Sequence, residues 1–468
     1  MRKLLALVCM LATLAFGRAV ALGASQHAFT PKMAAMIDRL ARAEATGGRT
    51  PGLAVAVVED GRWVYARGFG YANLAKKRAV TATTEFYVGS LTKEFTAASV
   101  LLLVQDGKVK LDDKVTKYVP ELTIASNVSV AQLLQQTSGL PDYVHAPGIL
   151  PDPTRNVKLA DFIAAVDRLP LRFAPGSKFE YNNFNYFIAG LIVERASGLP
   201  LSDFFQARIF QPLSMSSSFV AGDTGISPEA ATGYTGGAHR FIPAKPWDPS
   251  WLLGAGGIVT NVYDMAKWDI GFPILVRDDA VRNMFTAPDV PGAQSYGMGW
   301  VIDQRSGKRY VWHNGEIGGF HAMNALLPDD HIAVIVLANT DALHGDDGAI
   351  APEYLAAQIL DIVAPPAAVR VENAIVSRAK EWLGRLADKN VDRTQLTPQF
   401  SAFLTDELVS HANIKSYGKL LAIVPISSKS GDDGSTVYEF LVRFKNGQYH
   451  YHFGVTNQSK IDELLLSP

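Results

Sequence analysis

The sequence predicts an α+β fold: an antiparallel sheet flanked by helices, a mostly helical subdomain, and a small second α+β domain. Three observations carry this expectation. Strand-like runs occur over 53–66 and again between 296 and 338, whereas about 111–272 reads as helix and loop broken by Pro and Gly. The later strands are joined by connectors as short as Pro328-Asp329-Asp330, which suits antiparallel neighbours because parallel strands need long crossovers. Ala364-Pro365-Pro366-Ala367 then forms a stiff linker, after which new helical and alternating patterns begin.

At the N-terminus, Arg2 and Lys3 precede an apolar run over 4–17, and Arg18-Ala19-Val20-Ala21 supplies a small-residue exit. This pattern predicts a secretory signal peptide, residues 1–21, and a periplasmic or secreted product. The run is shorter than the roughly 20 apolar residues that span a bilayer, so no stable membrane anchor is expected after cleavage. A helical lead-in covers about 32–45, and 53–58 is a β-rich apolar run. Glu59-Asp60-Gly61 turns the chain into a second strand at 63–66. A helix is expected to open at Ser90 and run to Gln105, with Phe95, Ala98, Val100 and Leu101 in its periodic core. Strand signals resume at 296–302, 310–313, 320–327 and 332–338. Past the linker, Ile375, Ala379, Trp382, Leu383 and Leu386 recur at helical spacing, with Trp382 and Leu383 as core. Tyr438, Phe440, Val442 and Phe444 alternate before Asn446-Gly447, and Tyr449, Tyr451 and Phe453 alternate after it, which marks a hairpin. The expected division is signal peptide 1–21, large domain 22–364 and accessory domain 365–468.

Composition narrows the function classes. Of 468 residues, 48% are hydrophobic and 44 basic residues balance 45 acidic ones, a formal net charge of −1. That balance creates no field to attract a polyanion, so no nucleic-acid partner is expected. The single cysteine, Cys9, excludes a disulfide framework, a thiolate zinc site and an iron–sulfur cluster. His450 and His452 share a strand face without a third ligand at metal spacing, which predicts a solvated face. Asp432-Asp433 is a turn. No metal and no organic cofactor are expected. A Gly-x-Ser-x-Gly elbow is absent, which disfavours the α/β-hydrolase fold.

Three short stretches carry candidate chemistry. In Gly89-Ser90-Leu91-Thr92-Lys93, the two polar side chains lie three apart and can meet on one helical face. A serine hydroxyl becomes nucleophilic when a neighbour takes its proton, and a lysine can do so if burial depresses its pKa. Ser377/Lys380 and Ser416/Lys419 share the spacing, so the pair alone is unspecific. Tyr181 and Asn183 lie on a loop entering a helix; a phenol serves as a base only beside a cation. Trp312-His313-Asn314-Gly315-Glu316 forms a strand in which Gly315 would admit a substrate near the backbone, with the Glu316 N–H as a second oxyanion donor.

Taken in this order, the stretches resemble the serine β-lactamase-like, penicillin-recognising superfamily. The nearest branch comprises class C β-lactamases, D,D-carboxypeptidases, D-aminopeptidases and related peptidase S12-like esterases. Flanking stretches 134–141, 255–258 and 296–300 fit as well, and the likeness runs over about 29–363. The resemblance implies the β-lactamase-like fold, Ser90 as nucleophile, Lys93 and Tyr181 as the proton-transfer pair, and Asn183 as a substrate ligand. It also implies that His313-Asn314-Gly315 is the third motif, facing the substrate beside the Glu316 N–H. Three departures bear on substrate. His313 replaces a lysine and would carry partial charge near pH 7. Asn314 replaces a threonine, and Glu316 adds a negative side chain. These disfavour a substrate carboxylate. The expectation is an exported serine hydrolase forming a covalent acyl-enzyme from an ester or peptide amide, of D-amino-acid peptidase or esterase type. The alternatives are a class C-like β-lactamase, or a penicillin-binding sensor with little turnover. The expected partner is a small-molecule or peptide substrate. The C-terminal segment is similar to small cone-shaped accessory domains of some relatives.

Overall fold

The run from Gly52 to Glu59 is buried along its whole length because it forms the middle of a sheet. The computed structural model describes residues 28–467 except 47–49, 146–151, 223–226, 228–229, 238–239, 292–295 and 342–350. The expected signal peptide lies outside the described residues. Helix α1 (Pro31–Thr46) precedes strands β1 (Gly52–Glu59), β2 (Arg62–Asn73) and β3 (Arg78–Ala79). After a long insertion come β4 (Val301–Arg305), β5 (Lys308–Ile317), β6 (Phe320–Leu327) and β7 (Ile332–Ala338). The seven strands order as β3-β2-β1-β7-β6-β5-β4, each antiparallel to its neighbours. The β1–β7 junction thus joins the two ends of the large domain. Successive β1 side chains point to opposite faces: Leu53, Val55 and Val57 enter a core with Ile37 and Ala41 of α1. Ala54, Ala56 and Val58 enter the core shared with the insertion.

That insertion holds three long helices, α2 (Thr92–Gln105), α3 (Asn183–Ser197) and α4 (Val262–Leu275). Helices α2 and α3 have little one-sided character because neighbours surround them; Thr92–Leu103 and Phe184–Val193 are buried. Helix α4 packs across β1, β2 and β7. The insertion also contains short strands at Phe219–Val220, Tyr234–Gly237, Arg240–Pro243 and Ile258–Thr260, which the helix-and-loop expectation did not include.

Helix α5 (Ala351–Val363) covers the first sheet face through Leu355 and Ile359 and leads to the prolines. Helix α6 (Asn373–Ala387) then packs Trp382 and Leu383 on a four-stranded antiparallel sheet. Its strands are β8 (Leu420–Ser430), β9 (Thr436–Phe444), β10 (Gln448–Val455) and β11 (Ile461–Ser467), in that order. Phe440, Val442, Tyr451 and Phe453 supply that core. Among the described residues, no helix is long and apolar enough to cross a membrane, and no cluster of three His, Cys, Asp or Glu is placed to hold a metal ion.

His450 departs from the solvated face expected for the histidine pair, while His452 stays partly exposed. His450 is 5% exposed and lies between the C-terminal sheet and helix α5. Its Nδ1 is 2.6 Å from Glu439 Oε1 and its Nε2 is 3.1 Å from Asp361 Oδ2 on α5. Arg305 of β4 completes the cluster, 2.8 Å from the same Asp361 oxygen. The strand alternation was legible, but the helix and strand that cover that face are remote in sequence.

Candidate active site

Ser90 sits in a single 3-10 turn, Gly89–Leu91, and α2 starts two residues after it, at Thr92. A 3-10 turn brings residues three apart onto one line, and Lys93 Nζ stands 2.8 Å from Ser90 Oγ. The same Nζ is 2.9 Å from Asn183 Oδ1 and 2.9 Å from the Ala255 carbonyl oxygen. Both carbonyl-type oxygens can only accept, so two lysine N–H bonds are committed to them. In the neutral amine, the third direction is a lone pair facing the serine hydroxyl. Burial makes that form accessible: it lowers the Lys93 pKa to about 7, the Asp142 charge acting the other way. Burial, and then Asp269, push the pKa of Glu94, the next residue, well upward.

The lysine's two acceptors are placed by packing that sequence reasoning only partly located. Ala255 follows Gly254, where a Cβ would stand 2.6 Å from the Tyr186 carbonyl oxygen and 2.9 Å from Gly190. Glycine lets the 253–256 turn press against α3, which delivers the Ala255 carbonyl to Lys93. Asn183 opens α3. The loop before it is clamped by Gln136, whose Oε1 accepts from Asn182 N and Asn185 Nδ2 at 3.2 and 2.7 Å. Asn182 Nδ2 donates to the Leu140 carbonyl. The 134–141 stretch is therefore a buried polar brace for Tyr181 and Asn183. Asp142, one residue beyond it and unassigned from sequence, accepts from Asn183 N at 3.3 Å and Nδ2 at 3.4 Å. Asn183 links Asp142 to Lys93: its oxygen accepts from the lysine, and the residue borders the cleft over Ser90.

Tyr181 leaves 36% of its surface open to the cleft, and its ring lies 4.9 Å from Lys93 Nζ. Tyr296 and His313 flank the ring at 6.1 and 6.0 Å between centroids. Desolvation raises the phenol pKa, partly offset by its hydrogen bond with Ser90. Tyr181 therefore holds its proton and suits a relay beside Ser90, while Lys93 is the better resident base.

The third motif lies on β5 and requires two corrections. His313 is 1% exposed, and burial lowers its pKa to about 3. Nδ1 donates to the Asn314 carbonyl at 2.5 Å, and Nε2 accepts from the Tyr296 hydroxyl at 3.0 Å. The imidazole is neutral and brings no partial charge, because its surroundings satisfy the neutral tautomer. Gly315 does not line the cleft. A Cβ there would collide with the Val88 carbonyl oxygen and come 3.0 Å from Ser90 N, so the glycine lets the nucleophile turn cross β5. Residues 317 and 320 close the β5–β6 hairpin, so by alternation the Glu316 N–H faces the outer edge, beyond the last β4 pairing at Trp312. That edge meets Gly89, where a Cβ would be 2.9 Å from Glu316 N. Ser90 N and Glu316 N thus border the same space.

A cleft of about 710 Å3 opens over Ser90, bordered by Tyr143, Trp247, Leu252, Trp312, Glu316 and Asp341 among others. Burial raises the Glu316 pKa; His321 opposes this, and Asp341 and Glu353 add to it. Asn314 Nδ2 is bound to Glu353 Oε1 at 2.8 Å, so the amide does not stand in for a threonine hydroxyl. One end of the cleft is therefore acidic. His313 beside it is neutral, and no arginine is among the described residues lining the cleft.

Residues 37–359 match the family described as Beta-lactamase. The chain belongs to the Beta-lactamase family. Protein flp of Staphylococcus aureus (strain N315) is 27% identical over 318 residues, covering 65% of this chain and 63% of that protein. Unguisins hydrolase ungD' of Aspergillus campestris (strain IBT 28561) is 29% identical over 315 residues, covering 62% of this chain and 58% of that one. The chain thus spans less than two thirds of the length of these curated relatives. The D-amino acid amidase of Ochrobactrum anthropi SV3 is 25% identical with a TM-score of 0.61, over 71% of this chain and 98% of that one. An octameric penicillin-binding protein homologue from Pyrococcus abyssi shares the fold over 93% of this chain and 98% of its own, at 22% identity and TM-score 0.61.

Proposed function

We propose that this Beta-lactamase family member is an exported serine hydrolase cleaving amides or esters of amino-bearing acyl groups, of D-amino-acid amidase or peptidase type. The observation that carries the reading is the buried lysine, 2.8 Å from Ser90 Oγ, whose pKa is lowered to about 7. Ser90 Oγ attacks the carbonyl carbon and its proton passes to Lys93. The tetrahedral oxyanion lies towards Ser90 N and Glu316 N. As the bond to the leaving group breaks, that group takes a proton relayed through the Tyr181 hydroxyl from Lys93. Water then repeats the sequence on the ester, releasing the acid and restoring Ser90.

The substrate preference rests on the acidic end of the cleft. Glu316 and Asp341 favour an ammonium group and repel a carboxylate, which counts against β-lactams. The aromatic lining suits an apolar side chain. The amidase named above, solved with D-phenylalanine, supports the amide reading. Export is supported by the charged, apolar and small-residue regions of 1–21. The test is hydrolysis of D-phenylalanine amide against its N-acetyl derivative and benzylpenicillin, with Ser90→Ala as control. We expect Ser90-dependent turnover with kcat/KM at least tenfold higher for the free amine. Equal rates for the acetylated amide, or faster penicillin hydrolysis, would overturn the preference.

A further inference from the structure

A second cleft, of about 340 Å3, lies far along the chain from Ser90, at the joint between the two domains. One wall is α1. Lys32, Ala35, Met36, Arg39 and Leu40 follow one another at steps of three, one, three and one residues and form a single helical face. This face differs from the one that buries Ile37 and Ala41 against the sheet. The other wall is the C-terminal sheet: Leu421 on β8, Arg443 and Phe444 on β9, and Lys445 in the following turn.

Two features set this cleft apart from an ordinary solvated surface. Four cations, Lys32, Arg39, Arg443 and Lys445, converge from two domains, and no acidic residue is among the described residues lining it. In a chain of net charge −1 that is a local excess, and like charges facing across one cleft repel unless an anion joins them. The space between them also presents apolar surface from Met36, Leu40, Ile362 and Phe444, with Leu421 at its edge 55% exposed. Simple phosphate or acetate would leave that surface wet, and a neutral lipid would leave the cations unmatched. The volume falls at the low end of the roughly 300–1,000 Å3 of small-molecule pockets, too small for a folded partner.

We propose that this cleft binds a small anionic amphiphile, a carboxylate or phosphate head on a single alkyl chain, bridging the two domains. The head is held between Arg39 and the 443–445 cations while the chain lies on Met36, Leu40 and Phe444. This site is independent of the hydrolytic reading.

Calorimetric titration of the full chain carrying Ser90→Ala with decanoate, below its micellar concentration, tests the site. The expected result is one saturable site, with decanol and acetate each at least tenfold weaker. Arg39→Glu combined with Lys445→Glu should weaken decanoate at least tenfold, and Arg39→Gln alone should weaken it measurably if the double variant fails to fold. On the Ser90 background neither change should alter hydrolysis. Decanol binding as tightly as decanoate, indifference to these substitutions, or competition by D-phenylalanine would overturn the proposal. Binding to phosphatidylglycerol vesicles without binding of monomeric decanoate would also overturn it, by placing the chemistry at a membrane surface.

Discussion

Lys93 has three neighbours but only two that must accept a hydrogen bond, and this asymmetry is what makes it a base rather than a buried counter-ion. With its pKa lowered to about 7 by burial, the charged, inactive form dominates below that pH and the neutral form above it. The kcat/KM for a substrate that does not itself titrate should therefore rise with pH through about 7 and level off beyond it. A profile flat from pH 5.5 to 9 would remove Lys93 from the role. Tyr181→Phe keeps the ring between Tyr296 and His313 but deletes the relay, so turnover should fall about 10²–10⁴-fold with melting little changed. Full activity in that variant would contradict the relay. The Ser90–Lys93 pair was legible in sequence because it is local. The neutrality of His313 was not, because Tyr296 is 17 residues away and only folding brings its hydroxyl to Nε2.

At the scale of elements, the site is a crossing of three pieces: the 3-10 turn bearing Ser90, the N-terminus of α3, and the outer edge of β5. The crossing of the first and third is close enough that Gly315 has no room for a methyl group. Gly315→Ala should therefore destabilise the protein by about 1–3 kcal/mol, the usual cost of overpacking, and depress turnover by displacing Ser90. Chemical denaturation together with kinetics checks both effects; unchanged stability would show that the crossing is looser than described. Most long elements could be read from sequence, since continuous apolar runs such as β1 and β7 and periodic ones such as α6 announce themselves. Strand β8 did not. It is an edge strand containing Pro425, with register shifts on either side, half-buried in its first part and exposed in its last, without clean alternation.

For the whole molecule, the contact between helix α5 and the C-terminal sheet is polar and titratable. Burial alone would lower the His450 pKa, but hydrogen bonds to Asp361 and Glu439 outweigh it and the imidazole is raised. Because the folded value lies above the ordinary histidine value of about 6.5, this contribution to docking is full below that pH. It is lost as pH rises through the folded value. Protection factors in α6 and β10, corrected for the base-catalysed intrinsic rate, should accordingly be lower at pH 8.5 than at pH 6, and His450→Gln should flatten the difference; equal protection at both pH values would contradict it. The Arg305–Asp361 pair, 2.8 Å apart, ties β4 to α5 and fixes the carboxylate that His450 meets. The central claim remains the acyl-enzyme at Ser90. Its most direct test is intact-mass analysis of protein quenched during turnover of a D-phenylalanine ester, followed by peptide mapping. A single adduct of one phenylalanyl group on Ser90, absent from Ser90→Ala, is the predicted result. Undiminished turnover in Ser90→Ala, or a label on any other residue, would contradict it.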